Sequence, residues 1–381
     1  MNNTITNKKI RDAIFLDVAN LSTREEDEFL FALTEAETVT RWMRVKSDAL
    51  SVTGPDEFCD LPDDVFQEVM EHSPYGVTAL FEDEYGVKSE MSFMLRVSAV
   101  EDIFARAKEG LRSGINVLPD HRDILSRIYK ELKETYVVLI RGERLAALHS
   151  DRYAPIKQTE IFEMVKDYLE NQAEGHFTLG EFSNEYTRAL YEITDQGLVK
   201  EYADALDAFG MNPTNAAITA GLRVSTSDVG TASVRFTPYI KKGGCVLMLG
   251  NHFAVKHIGS ADLEDVKKKL DGVFMRYTQS VKDLVRLMSI KLAKPYNAIL
   301  NAGEKLRLPM KSLSDYVDAI QAVGRFENGA SAYECYEVLN EILATSAAGI
   351  EPQRRFNLEE GIYQALSYDW VKLDRAVIKR A

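Results

Sequence analysis

The chain has 381 residues, of which 45% are apolar and 28% charged, and this balance is typical of a folded protein of two or three domains. Its net charge of −13 and pI near 5.1 argue against wholesale nucleic-acid binding, because phosphate affinity comes from concentrated lysine and arginine. The sequence shows neither a secretory signal nor a run of about 18 apolar residues. We therefore expect a cytoplasmic protein with no membrane partner.

The first third of the chain is predicted to be an acidic region of mixed helix and strand. Residues 1–130 contain 25 acidic residues against 15 basic ones. A helix is predicted from about Arg24, with Leu30, Phe31 and Leu33 on its apolar side. Further helices are predicted over residues 62–73, 100–114 and 120–134, and a pair of strands over 77–86 and 89–99.

Residues 131–260 are predicted to form a central, strand-rich domain. Two apolar runs flank the turn-forming residues 141–143, which predicts a hairpin, and a second hairpin is predicted around residues 184–185. A helix from Thr194 to Phe209 follows the second hairpin. The helix between the hairpins has the apolar residues Ile161, Phe162, Val165 and Leu169 on one side.

The segment Ile218–Ser260 carries a local excess of positive charge. Arginine and lysine occur at five positions there, and Asp228 is the one acidic residue. Turn-forming residues separate four strand-like runs, ITAGLRVS, ASVRFTPYI, GCVLMLG and FAVKH, which predicts an antiparallel sheet.

Residues 261–381 are predicted to form a helical C-terminal region. Apolar residues recur with the helical period from Ala261 to Lys294, so we expect one long helix that ends at Pro295. The remaining residues show helical patterns as well. The predicted fold class is therefore α+β, with domains at 1–130, 131–260 and 261–381.

The basic strands are the candidate nucleic-acid interface. Residues an even number apart share one face of a strand, so Arg235, Tyr239 and Lys241 are expected to project together. Sheets that bind single strands combine cations for the phosphates with rings for the bases, although sheet faces also carry cations for solubility. The candidate binding residues are Arg223, Arg235, Tyr239, Lys241, Lys242, Phe253, Lys256 and His257.

No catalytic residue, metal ligand set or cofactor is predicted. The turn at Lys241–Gly244 lacks the spacing of a phosphate-binding loop, and no nucleophile elbow, zinc helix or dinucleotide fingerprint occurs. His252 and His257 would lie on opposite faces of a strand, which disfavours a shared metal. An enzyme is therefore less expected than a binding protein.

Four segments resemble a family of phage- and plasmid-associated proteins grouped as domain of unknown function 932. They are DRYAPIKQTEIFEMVKDYLENQ from Asp151, HFTLGEFSNEYTRALYEI, GLRVSTSDVGTASVRFTPYI and KHIGS at Lys256–Ser260. The similarity covers about residues 130–375. It implies a role in replication, recombination or host takeover and supplies no reaction.

The leading hypothesis is a phage- or plasmid-encoded, non-enzymatic protein that binds single-stranded nucleic acid through the basic sheet. In one alternative, the acidic residues 1–130 occupy a basic site on a host enzyme or defence complex. In another, the chain is a self-assembling structural element that forms large oligomers; the leading hypothesis also allows a homo-oligomer.

Overall fold

The computed structural model describes residues 21–46, 50–53, 75–82, 88–95, 135–141, 144–183, 186–211, 217–230, 232–250, 253–259, 261–345 and 352–376. These residues form two large sheets and a set of helices, so the predicted α+β class is confirmed. The helices predicted over 62–73, 100–114 and 120–134 lie outside the described residues.

The central sheet has seven strands within the described residues, in the order β1-β8-β9-β10-β11-β12, and β13 also pairs with β11. All its pairings are antiparallel, so both the predicted hairpin around residues 184–185 and the four predicted basic strands are confirmed. Its strands are β1 (Leu21–Thr23), β8 (Gly175–Phe182), β9 (Thr187–Ile193), β10 (Ile218–Thr226), β11 (Val234–Lys242), β12 (Cys245–Met248) and β13 (Phe253–Val255).

A second sheet of six described strands has the order β2-β6-β7-β5-β4-β3. The predicted pairs β4–β5 and β6–β7 are confirmed as antiparallel neighbours. The hairpin β6–β7 pairs with strands from the first third of the chain, so this sheet crosses the predicted domain boundary near residue 130. Its strands are β2 (Thr40–Lys46), β3 (Leu50–Thr53), β4 (Tyr75–Glu82), β5 (Lys88–Leu95), β6 (Thr135–Arg141) and β7 (Arg144–Ser150).

Of the three helices before the basic strands, the first and third pack against the central sheet and the second packs against the first. In the first of them, Phe29 and Leu33 are buried, whereas Phe31 is 65% exposed, so its predicted place on the apolar side is wrong. Phe29 lies on the buried stripe because it precedes Leu33 by four residues. The helices are α1 (Glu26–Thr38), α2 (Gln158–Tyr168) and α3 (Gln196–Ala208).

The long helix α4 (Leu263–Ser289) lies across β11 and β13. The Asp262 side chain accepts a hydrogen bond from the Asp265 amide at 3.0 Å and caps its start. The helix ends earlier than predicted, because β14 (Lys291–Leu292) pairs with β15 (Ala330–Ser331). Pro295 begins the next helix, where its missing amide proton costs nothing.

The C-terminal region is mainly helical, as predicted. Its helices are α5 (Pro295–Lys305), α6 (Met310–Ala322), α7 (Ala332–Thr345), α8 (Pro352–Gly361) and α9 (Trp370–Arg375). One continuous hydrophobic core extends from Phe29 to Trp370 and joins these helices to the apolar face of the central sheet. None of the helices that the structure describes is long and apolar enough to cross a membrane.

Candidate nucleic-acid interface

The central sheet has one apolar face and one polar face. Phe236 and Ile240 are buried on the apolar face, while Arg235, Tyr239 and Lys241 alternate with them along β11. This alternation agrees with the predicted shared face. The polar face is nonetheless not an open basic surface, because helix α8 and internal ion pairs occupy much of it.

The two predicted arginines are engaged in ion pairs; Arg223 is buried and Arg235 is partly buried. Arg223 is 1% exposed, with its Nη1 3.3 Å from a Glu359 oxygen and its Nε 3.0 Å from a Glu360 oxygen. The Arg235 Nη1 lies 2.8 Å from the other Glu360 oxygen. Direct phosphate contact by these two arginines is therefore incompatible with the structure as it stands, since α8 already supplies their anions.

The predicted stacking rings are packed as well. Tyr239 is 2% exposed, its hydroxyl donates to the Tyr191 carbonyl at 3.0 Å, and burial raises its pKa. Its ring crosses the backbone of Gly221, where any side chain would overlap it. Phe253 is half-buried against Gly272 of α4. The position of Tyr239 contradicts base stacking by that residue, and the packing of Phe253 gives its predicted stacking role no support.

The remaining predicted residues differ in exposure. Lys241 is half-exposed and pairs with Glu192 at 2.8 Å. Lys242 is mostly buried, pairs with Glu337 and donates to the Tyr333 hydroxyl at 3.0 Å. Lys256 is exposed, as a phosphate-binding residue requires, but the adjacent His257 is only 5% exposed. The predicted binding set is therefore dispersed.

A different group of residues converges where the two sheets meet. Four rings form a stack: Tyr153 lies parallel to His149 at 3.8 Å between centroids, to His257 at 5.3 Å and to Trp42 at 5.3 Å. The isolated bridge between Tyr153 and Ile258 holds the chain segments together. We call these four rings, with Arg141 and Asp228, the junction site.

Asp228 provides the polar contacts of the junction site. Its carboxylate lies 2.9 Å from Arg141 Nη2, and its carbonyl oxygen is 2.7 Å from His149 Nε2. Gly230 follows with a φ of +83°, and a side chain there would contact the His149 ring at 3.2 Å. The turn after β10 thus joins the central sheet to β6 and β7.

Burial sets the charge of the rings. It lowers the pKa of both His149 and His257; the hydrogen bond to the Asp228 backbone for His149, and the Asp228 carboxylate for His257, only partly offset this effect. Burial also raises the pKa of Tyr153. At neutral pH the stack therefore consists of uncharged rings, and its positive charge comes from other side chains around it.

Exposed cations surround the junction site. Arg44 and Lys46 follow Trp42 at two-residue intervals on β2, so the three share one face of a strand that lies at the edge of the sheet among the described strands. The Arg44 Nη1 donates to the carbonyl of Asp151 at 2.9 Å, beside the exposed Arg152. We call Arg44, Lys46, Arg152 and Lys256 the cation rim.

Sequence reasoning missed most of these residues. Trp42 and Arg44 lie on a strand that was not predicted, although the alternation of Trp42, Arg44 and Lys46 is a usable signal. Three of the segments that carry the family resemblance meet here. They contribute Tyr153, Asp228 and His257, and the Ala154 amide donates to the His257 carbonyl at 3.0 Å.

Comparisons with known proteins add no further constraint: a scan against protein-family models and searches of curated proteins and of solved structures each found no match. The resemblance to domain of unknown function 932 stays a prediction. Within the described residues, no group of three or more histidine, cysteine or acidic residues is placed to hold a metal ion.

Proposed function

We propose that the protein binds single-stranded nucleic acid at the junction site and catalyses no reaction on it. The observation that carries this proposal is the half-buried Trp42 at the edge of the ring stack, with exposed Arg44 and Lys46 on the same strand face. Aromatic rings beside a track of cations bind single strands with little sequence preference.

The rings and the cations would have different roles in binding. Tyr153 and His149 pack on Trp42 from within, and His257 stacks on Tyr153, so a base would stack on the part of Trp42 that is left exposed. The cation rim would pair with successive phosphates. Because these cations are exposed, each contact would release counterions and make binding sensitive to salt.

The family resemblance suggests a setting for this activity. It implies a phage- or plasmid-encoded protein in the cytoplasm of a bacterial host, where single strands arise during replication and recombination. Lys256 belongs both to the residues predicted from the sequence and to the cation rim. The other phosphate-binding residues proposed here are Arg44, Lys46 and Arg152, in place of the arginines of the sheet.

Tryptophan fluorescence tests the proposal directly. The chain has two tryptophans, Trp42 and the buried Trp370. In a Trp370→Phe background, a single-stranded oligothymidine should quench the remaining Trp42 signal at low salt. Salt should reverse the quenching, with a slope of about 0.7 for each phosphate contacted.

Two variants and one control complete the test. Trp42→Ala, followed by anisotropy of a labelled oligothymidine, should weaken binding about 5- to 150-fold, since a stacked base contributes about 1–3 kcal/mol. Arg44→Ala with Lys256→Ala should reduce the salt slope by about 1.4. The control, Lys311→Ala with Lys372→Ala, removes two exposed cations from the C-terminal helices and should change neither quantity.

The proposal would be overturned if oligothymidine did not bind at low salt. It would also be overturned if the control and the rim variant reduced the salt slope of binding equally. Large oligomers without oligonucleotide binding would instead favour the self-assembling alternative. Recovery of a host protein that depends on residues 1–130 would favour the acidic interaction protein.

A further inference from the structure

Three arginines lie together on the polar face of the central sheet. Ser225 on β10 is the register partner of both Arg188 on β9 and Arg235 on β11, and Arg223 precedes Ser225 by two residues. The three guanidinium groups are therefore neighbours on one face. We call Arg188, Arg223 and Arg235 the arginine cluster.

The anions that neutralise the arginine cluster come mostly from helix α8. The sheet itself supplies Glu181, whose carboxylate is 2.5 Å from Arg188 Nε. The helix supplies Glu359, which pairs with Arg188 and Arg223, and Glu360, which pairs with Arg223 and Arg235. Without α8, three guanidinium groups would face one carboxylate, and uncompensated charge on a partly buried surface is costly.

The carboxylates of α8 do not satisfy the arginine cluster completely. Among the described residues, Arg223 Nη2, Arg235 Nε and Ser225 Oγ have no hydrogen-bond partner. The Arg223 Nε and a Glu360 oxygen are 3.0 Å apart but are not aligned as a hydrogen bond. A phosphate group offers more acceptor oxygens than a carboxylate and binds guanidinium groups with two parallel bonds.

Apolar contacts and ion pairs together hold α8 in place. Phe356 is 1% exposed, stacks on Tyr186 at 4.4 Å and lies 5.7 Å from the Arg223 guanidinium. Arg354 and Asn357 on the same short helix are exposed. Leu358 also packs against the core, and the helix contacts α7 and the short helix Ile362–Ser367 that follows it. The ion pairs are the part of this attachment that a competing anion would remove.

We propose that the arginine cluster is a phosphate-binding site that helix α8 masks by presenting Glu359 and Glu360 in the place of phosphate oxygens. Binding would expel α8 from the sheet. The ligand is a phosphate-bearing anion, either inorganic or part of a nucleotide chain. This site is separate from the junction site and does not depend on it.

Hydrogen exchange on the wild-type protein gives the first test. Adding inorganic diphosphate should speed exchange of the amides in Pro352–Gly361, because the ligand takes the place of the helix. Sodium chloride at the same ionic strength is the control and should have a much smaller effect. Unchanged or slower exchange in α8 with diphosphate would overturn the proposal.

Calorimetric titration of variants gives the second test. Glu359→Gln with Glu360→Gln should strengthen diphosphate binding about tenfold, since the open form no longer has to be populated against the ion pairs. Glu163→Gln with Glu304→Gln removes two exposed carboxylates elsewhere and should leave affinity unchanged. Arg235→Gln, at a side chain that is 24% exposed, should abolish binding.

The ligand source is resolved in a Trp42→Ala background, in which the junction site binds oligothymidine more weakly. Oligothymidine that still displaces α8 would assign the cluster to nucleic-acid phosphate, and displacement by diphosphate alone would assign it to small phosphates. If the double glutamine variant does not fold, two measurements still test the proposal: hydrogen exchange of α8 in the wild-type protein and diphosphate titration of Arg235→Gln. Diphosphate binding that survives Arg235→Gln at full strength would refute the site.

Discussion

The junction site and the arginine cluster both place polar groups beside a sheet, yet they differ in where the charge lies. In the junction site, uncharged rings and one buried ion pair, Arg141–Asp228, occupy the interior, and the cations of the rim stay exposed around them. In the arginine cluster, Arg188 and Arg223 are buried, Arg235 is partly buried, and carboxylates from α8 neutralise them. A basic stretch of sequence therefore need not form a basic surface, because acidic residues that are distant in the sequence can pair with its cations.

Substitutions in the two regions should also lower the stability of the protein by different amounts. A buried ion-pair network tolerates the loss of one member poorly, because the partner is left charged and desolvated. Stacked uncharged rings lose mainly packing and one polar contact. The following predictions separate the two regions, beginning with the largest effect.

Removing the most buried arginine should have the largest effect on stability. Arg223→Leu leaves Glu359 and Glu360 without one of their partners in a region that excludes water. We expect the free energy of unfolding, measured by urea denaturation, to fall by about 3–5 kcal/mol. Arg223→Lys should recover little of it, because an ammonium group cannot pair with both carboxylates in parallel.

The matched change in the junction site is Arg141→Leu, which removes a buried partner of Asp228. Arg141→Leu leaves one carboxylate without this partner, whereas Arg223→Leu affects two, so we expect a smaller loss than for Arg223→Leu. Equal losses for the two variants would remove the distinction between the regions.

Acid should weaken the two regions in different pH ranges. The unfolded chain protonates a histidine near pH 6.5, whereas burial lowers the folded pKa of His149 and His257. The stabilising contribution of these histidines is therefore present above about pH 6.5 and falls as the pH drops toward the folded pKa. Each group contributes a slope of at most about 1.4 kcal/mol per pH unit.

For Glu359, burial raises the pKa, but Arg188, Arg223 and Arg355 outweigh it and hold the pKa below the usual 4.5. Its contribution is therefore present above about pH 4.5 and is lost only as the pH falls through the folded value. Trp42 fluorescence in the Trp370→Phe background should respond first on acidification, and exchange of the α8 amides should respond later. His149→Gln should flatten the first response; simultaneous responses would contradict the assignment.

Much of the fold could be predicted from the sequence because its signals are local. Alternating residues indicated β10 and β11, and the helical period indicated α4 to within a few residues at each end. The end of α4 was misplaced because β14 pairs with β15, which lies more than one helix later in the chain. No local sequence pattern predicts a strand pairing between residues so far apart in the chain.

The sites were harder to predict because they depend on contacts between distant segments. The glutamates of α8 lie in a helical pattern that gives no sign of the arginines they neutralise. Likewise, Tyr153 and His257 meet only because the Tyr153–Ile258 bridge joins their segments. The spacing of Arg235, Tyr239 and Lys241 indicated their shared face but not the helix that covers it.

A glycine substitution offers a smaller and more local probe of the junction site. Gly230→Ala forces a side chain into a positive φ and against the His149 ring at 3.2 Å. Gly243→Ala is the matched control, because Gly243 also has a positive φ but no neighbour within 4 Å of an added Cβ. We expect each to cost about 1–2 kcal/mol from backbone strain, and only Gly230→Ala to change Trp42 fluorescence.

The smallest expected effect is also the one that best separates the two regions as binding surfaces. Lys241 is 42% exposed and pairs with Glu192, so Lys241→Ala should cost less than about 1 kcal/mol of stability. It lies on the polar face of the sheet, whereas Lys256 belongs to the cation rim. We expect Lys241→Ala to leave the salt slope of oligothymidine binding unchanged and Lys256→Ala to lower it by about 0.7. If Lys241→Ala lowered the salt slope and Lys256→Ala left it unchanged, the polar face of the sheet would be the nucleic-acid-binding surface instead.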